Sequence, residues 1–236
     1  ILADMDTPVS AFHKLGGAPS FLLESVVGGE KWARFSFLGS RPSKVIRSWG
    51  GKIEIQEEGR PLVIIEADNP VDVLKGEVSK YRPVEVAGLP RFFGGLVGYI
   101  GYDMVRFFEQ LPDKGSRGLE LPDMFFMVTD TMLIFDSLRQ KIKVVSNAHL
   151  DSKTPDEAYD EAETKIEEII KKLKEPVAGQ REKTAGITED KGARFASSFP
   201  TREAFEHAVV QAKEFVMAGD VVQVVLSQRF EPASRV

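Results

Sequence analysis

The chain has 236 residues, 42% hydrophobic and 28% charged, with a formal net charge of -5 and no cysteine. That length can bury a substantial core, and the balance is that of an ordinary globular protein. A net negative charge without a clustered basic stripe gives no electrostatic reason to bind nucleic acid. The missing cysteines exclude disulfides, thiolate-held zinc, iron–sulfur clusters and a thiol nucleophile. No apolar run reaches the roughly 18–20 residues that span a bilayer. The opening ILADMDTPVS lacks the basic and hydrophobic regions of a secretion signal. The expectation is a cytoplasmic chain with neither a nucleic-acid nor a membrane partner.

In chain order, Thr7-Pro8 reads as an N-cap followed by proline at the first helical position. Gly16-Gly17 ends that helix, and Val9, Phe12 and Leu15 are its expected buried face. Phe21 to Val27 and Trp32 to Leu38, parted by Gly28-Gly29, predict one hairpin. Ser43 to Trp49 and Lys52 to Glu58, around Gly50-Gly51, predict a second, with Ile53 and Ile55 facing one way. Asn69-Pro70 opens an amphipathic helix to about Tyr81. Phe92 to Tyr102 is apolar and rich in glycine. Met124 to Thr129, Met132 to Phe135 and Ile142 to Val145 then read as a meander.

Pro155 to Lys174 carries the clearest helical periodicity, through Ala158, Ala162, Ile166, Ile169, Ile170 and Leu173. Acidic residues come early in it and lysines late, as the helix dipole favours. Residues 175–198 are polar and read as a linker. A last helix follows Thr201, with Phe205, Val209, Ala212, Phe215 and Val216 on one face and Gly219 as C-cap. Val221 to Phe230 is a β-branched run that reads as a strand. One helix and one strand are too little for a core of their own, so a second domain that is cut short is expected.

Generic catalytic motifs are sparse. His13, His149 and His207 sit in unrelated segments without metal-ligand spacing, and no metal site is expected in the chain. Phosphate-loop and serine-elbow patterns are absent. The glycines Gly94, Gly95, Gly98 and Gly101 do not fit a dinucleotide fingerprint and read as close backbone approach. Glu24, inside FLLES, is either a buried acid in need of a partner or an outward-facing strand residue.

Four segments read in register carry a resemblance: LADMDTPVSAF at 2–12, SFLLESVVGGEKWARFSFLGSRP at 20–42, FFGGLVGYIGYDMVRFFEQLP at 92–112 and AGDVVQVVLSQRF at 218–230. Together they resemble the anthranilate synthase component I family of chorismate-utilising enzymes, over its N-terminal half. The resemblance implies an α+β fold, truncated here, of antiparallel sheets packed face to face with flanking helices. It divides the chain into an N-terminal domain at 1–150, a helix at 151–174, a linker at 175–198 and the incomplete start of a chorismate-binding domain at 199–236.

The implied activity adds ammonia to chorismate and then eliminates pyruvate to leave anthranilate, for tryptophan synthesis. Ammonia would come from a partner glutamine amidotransferase subunit. Mg²⁺ would assist the full enzyme, held by glutamates beyond Val236, with none bound by these residues. The family's feedback inhibitor L-tryptophan binds at the FLLES segment, which implies that Glu24 and Ser25 meet the effector and that Arg34 lies near it. Gln223 falls where water-adding relatives carry a lysine base. Glutamine cannot remove a proton, so it suits an ammonia nucleophile near the chorismate pocket.

Two alternatives stay open. One is aminodeoxychorismate synthase component I, which stops at the amino intermediate. The other is a non-catalytic module that binds effector and docks a partner, since these residues hold no complete catalytic set. The run Val221 to Phe230, as an unpaired sheet edge, predicts self-association.

Overall fold

Residues 1–3, 6–24, 34–111, 120–150, 153–176 and 195–232 are described by the computed structural model. They belong to two units, Ile1–Ala178 and Gly179–Val236. In the first, helix α1 (Pro8–Leu15) starts at Thr7, whose hydroxyl accepts the Ser10 N–H while the Ser10 hydroxyl accepts that of Thr7. Strands β1 (Ser20–Leu23) and β2 (Phe35–Ser40) pair antiparallel, with Leu23 opposite Phe37. The predicted hairpin is therefore present in shorter form; Ser25–Ala33 lie outside the described residues.

Strands β3 (Lys44–Trp49) and β4 (Lys52–Glu57) form the second predicted hairpin, and β5 (Val63–Glu66) pairs with β4 at the edge. Helix α2 (Pro70–Val78) follows, capped by the Asn69 side chain. Then come β6 (Gly95–Ile100), a 3₁₀ turn (Tyr102–Phe107), β7 (Met124–Thr129), β8 (Thr131–Asp136) and β9 (Lys141–Ser146). Helix α3 spans Pro155–Lys174, as its periodicity predicts.

The strands form two antiparallel sheets, ordered β1-β2-β8-β9 and β5-β4-β3-β7-β6. The meander is thus corrected: β8 pairs with β9, but β7 lies in the other sheet. The chain changes sheets at Asp130, between β7 and β8. Alternation cannot foresee this, because both strands are apolar and either would suit either layer.

Three clusters separate the layers. Ala11 and Leu15 of α1 and Leu173 of α3 pack on Leu38, Leu133, Phe135 and Ile142, one face of the first sheet. The opposite face presents Phe21, Met132 and Ile134 to Met127 of the second sheet. The far side of the second sheet, Ile46, Ile53 and Met124, is covered by Leu74 of α2 and Met104 of the 3₁₀ turn. The result is two facing antiparallel sheets with helices outside, an α+β sandwich. In α1, Ala11 takes the buried place expected of Val9, which is exposed.

Ser48 is buried on the second sheet, and among the described residues its Oγ has no hydrogen-bond partner. Its backbone carbonyl still accepts the Asp123 N–H. An unpaired buried hydroxyl costs stability, so Ser48→Ala is expected to raise the urea midpoint by up to about 1 kcal/mol equivalent. A loss of stability in that variant would show that the hydroxyl has a partner in solution.

In the second unit, α4 (Arg202–Ala218) is capped by the Thr201 side chain and ends at Gly219 in the left-handed conformation, as predicted. Phe205, Ala208, Val209 and Ala212 are half-buried, while Phe215 and Val216 are exposed. The strand expected at Val221 to Phe230 is not formed. Residues 221–229 are irregular, and only β11 (Phe230–Pro232) pairs, antiparallel to β10 (Phe195–Ser197). Apolar β-branched composition makes a strand only when a neighbouring ladder accepts its hydrogen bonds. The sheet edge invoked for self-association is therefore absent from residues 221–229. Strand β10 also occupies the end of the predicted linker, most of which lies outside the described residues.

Candidate functional site

Antiparallel pairing brings four chain segments to one end of the first sheet. Strand β1 finishes there at Leu23, β2 starts at Phe35, β8 finishes at Asp136, and β9 starts at Lys141. Glu24 and Arg34 thus flank the same end, although nine undescribed residues part them in sequence. Glu24 is exposed just past β1, so it is neither a buried acid nor a strand residue. Ser25 lies outside the described residues.

Arg34 is tied down. Its Nε donates to Asp136 Oδ1 at 2.9 Å and its Nη2 to Oδ2 at 2.7 Å, a two-pronged pair. The guanidinium carbon lies 4.7 Å from the centre of the Phe35 ring. The Asp136 side chain is fully buried, whereas that of Arg34 is 37% exposed. The Arg34 hydrogen bond holds the Asp136 carboxyl below the usual range, against burial and with help from the Arg139 N–H. The same bond raises the Arg34 guanidinium. The sequence reading missed Asp136; its one signal is an acid closing the apolar run MLIF.

A second charged cluster braces the crossover between the sheets. Asp130 is buried, with Lys165 Nζ of α3 at 3.6 Å and His149 Nε2 at 3.7 Å. Burial alone would raise its carboxyl, but the nearby His149 and the Lys165 charge outweigh it and hold the group low. Tyr81 meets His149 edge to face at 5.7 Å, and burial with the nearby Glu77 pushes its hydroxyl up to about 12. Glu77 is itself buried between Lys44 and Lys80. Paired this way, these groups hold α2, α3 and the crossover together.

Gln223 belongs to the other unit, exposed within the irregular stretch 221–229. Among the described residues, no three His, Cys, Asp or Glu side chains converge as a metal site. No helix among them is long and apolar enough to cross a membrane.

Comparison with known proteins agrees with this architecture. The chain is 40% identical over 232 residues to anthranilate synthase component 1 of Aquifex aeolicus, covering 98% of the chain and 46% of that protein. It is 38% identical over 235 residues to the protein of the same name from Acetivibrio thermocellus, covering 97% of the chain and 46% of the relative. The chain therefore spans about half the length of the curated relatives it matches. A crystal structure of anthranilate synthase component I from Streptococcus pneumoniae superposes with a TM-score of 0.61 at 25% identity, over 98% of this chain and 48% of that one. The family model described as chorismate binding enzyme matches residues 19–236, and the chain belongs to that family.

Proposed function

We propose that the chain serves as the N-terminal portion of an anthranilate synthase component I, acting in tryptophan synthesis in the cytoplasm. The complete enzyme would convert chorismate and ammonia to anthranilate and pyruvate. Ammonia would be delivered by a glutamine amidotransferase subunit. The observation that carries this reading is 38–40% identity to proteins of that name over nearly the whole chain. Mg²⁺ would be held by glutamates outside these residues. Gln223 would border the chorismate pocket, where an amide side chain leaves ammonia, not an activated water, as the nucleophile.

Glu24, Ser25 and Arg34 would form part of a feedback site for L-tryptophan, with the Glu24 carboxylate taking the effector's ammonium group. An exposed acid and an anchored arginine that flank the same sheet end support that reading.

The test is product identity on the polypeptide isolated from its native source, given chorismate, Mg²⁺ and ammonia. Fluorescent anthranilate with equimolar pyruvate is the expected result, and the 236 residues alone are expected to give none. An amino intermediate without pyruvate would support the aminodeoxychorismate alternative instead. A native mass near 26.2 kDa, with no turnover, would make the chain an effector-binding module.

A further inference from the structure

We propose that the outer edge of β5 pairs antiparallel with β5 of a second copy of the chain, about a two-fold axis at Val63, joining two five-stranded sheets into one. This edge, unlike residues 221–229, is formed in the fold.

Strand β5 is the last of its sheet, and among the described residues no strand pairs with its outer side. The Ala67 N–H donates to the Gly51 carbonyl, one step past the Lys52–Glu66 pair. The alternation of an antiparallel ladder then turns the backbone groups of Ile65 and Val63 towards β4. Those of Glu66, Ile64 and, by the same alternation, Leu62 face away from it. Pro61 falls in the set that faces β4, so the outer edge loses no donor to it. Leu62, Val63, Ile64 and Ile65 are all exposed, and successive side chains point to opposite faces. An open ladder with bare apolar side chains on both faces is what natural sheet edges avoid unless another strand covers it.

Segment 60–66 is complementary to itself when read antiparallel. With the axis at Val63, Leu62 of each copy faces Ile64 of the other, Val63 faces Val63, and Arg60 faces Glu66 at both ends. An axis at Ile64 would set Glu66 against Leu62, and one at Leu62 would set it against Glu58. Only the Val63 axis matches both the aliphatic residues and the charges. The Arg60 side chain is 71% exposed, and its 3.2 Å bridge to Glu57 is a surface pair of little worth, so it can turn to a new carboxylate. Two such short edges bury less than the roughly 1,200 Å² of a stable interface, so the dimer is a weak one, with a Kd of about 0.1 mM.

The experiment is thiol cross-linking of the natural polypeptide at about 0.5 mM, several times that Kd, under mild oxidation. The 236 residues contain no cysteine, so Leu62→Cys, Val63→Cys and Ile64→Cys each add one thiol whose disulfide can be mapped by mass spectrometry. Directly opposed residues of a pair without hydrogen bonds lie about 4.5 Å apart at Cα, within disulfide reach, whereas diagonal ones lie about 7–8 Å apart, beyond it. Val63→Cys is therefore expected to cross-link to itself about tenfold faster than either neighbour. Adding Glu66→Arg should slow that cross-link about fivefold, and adding Arg60→Glu as well should restore it, since the charges are then exchanged but still opposite. All five substitutions fall at exposed positions, where the fold tolerates change. No cross-link, equal rates at the three positions, or a fastest rate at Leu62 or Ile64 would overturn the proposal. So would a charge reversal that leaves the Val63→Cys rate unchanged.

Discussion

Gly98→Ala is expected to destabilise the protein by about 3 kcal/mol, the upper end of overpacking costs. A Cβ at Gly98 would lie 1.9 Å from the Phe125 carbonyl oxygen and 2.7 Å from the Phe126 Cα. Both contacts are backbone of β7, so no side-chain rotation relieves them. Gly98 sits midway along β6, opposite Phe126, and its displacement would break the ladder from Leu96 to Ile100. Because β6 is an edge strand, the damage should begin as local opening. Hydrogen exchange should show amides 95–100 losing protection before those of β3 and β4, alongside a lower melting temperature. A variant with wild-type melting and exchange would mean that β6 can shift outward at little cost.

Glu77→Gln should cost about 2–3 kcal/mol, slightly below the figure for breaking a well-buried ion pair. Glu77 is 3% exposed and bridges Lys44, itself only 13% exposed, to Lys80 at 2.6 Å. The variant leaves Lys44 with Glu57 alone, at 3.7 Å. Lys80 is exposed and can return to water, which moderates the loss.

The same pair makes a pH prediction. Burial would raise the Glu77 carboxyl, but the hydrogen bonds from Lys44 and Lys80 prevail and hold it below its ordinary value. A depressed folded-state value means that the stabilisation is complete above the unfolded carboxylate value of about 4.3 and fades as pH falls through the folded one. Asp130 and Asp136, also depressed, act in the same sense. Wild-type stability should therefore fall steeply below about pH 4, and Glu77→Gln should lose less over that window. Urea midpoints at neutral pH and pH 3 test this; parallel losses in the two proteins would refute it.

The chain's local signals were strong wherever one segment supplies its own evidence. Thr7-Pro8 and Asn69-Pro70 each open a helix, and the periodicity of Pro155 to Lys174 marks a third. The turn at Gly50-Gly51 set the β3–β4 register, and Gly219 closed α4. Glu24 and Arg34 were singled out because a resemblance pointed to them, not because their spacing suggests a site.

What depended on neighbours distant in sequence was not legible. Residues 221–229 are as β-branched as β7, yet they are irregular, because backbone groups form a strand only beside a ladder that can accept them. The sheet change at Asp130 is hidden because β7 and β8 are apolar on both faces. Asp136 is 102 residues from Arg34, and only the β2–β8 pairing reveals that its carboxylate has a partner. Sequence determined the helices, the tight turns and the family, which rest on interactions within a few residues or on whole segments in register. Tertiary structure alone decided which strands share a sheet and which charges meet, because both depend on pairing between segments far apart along the chain.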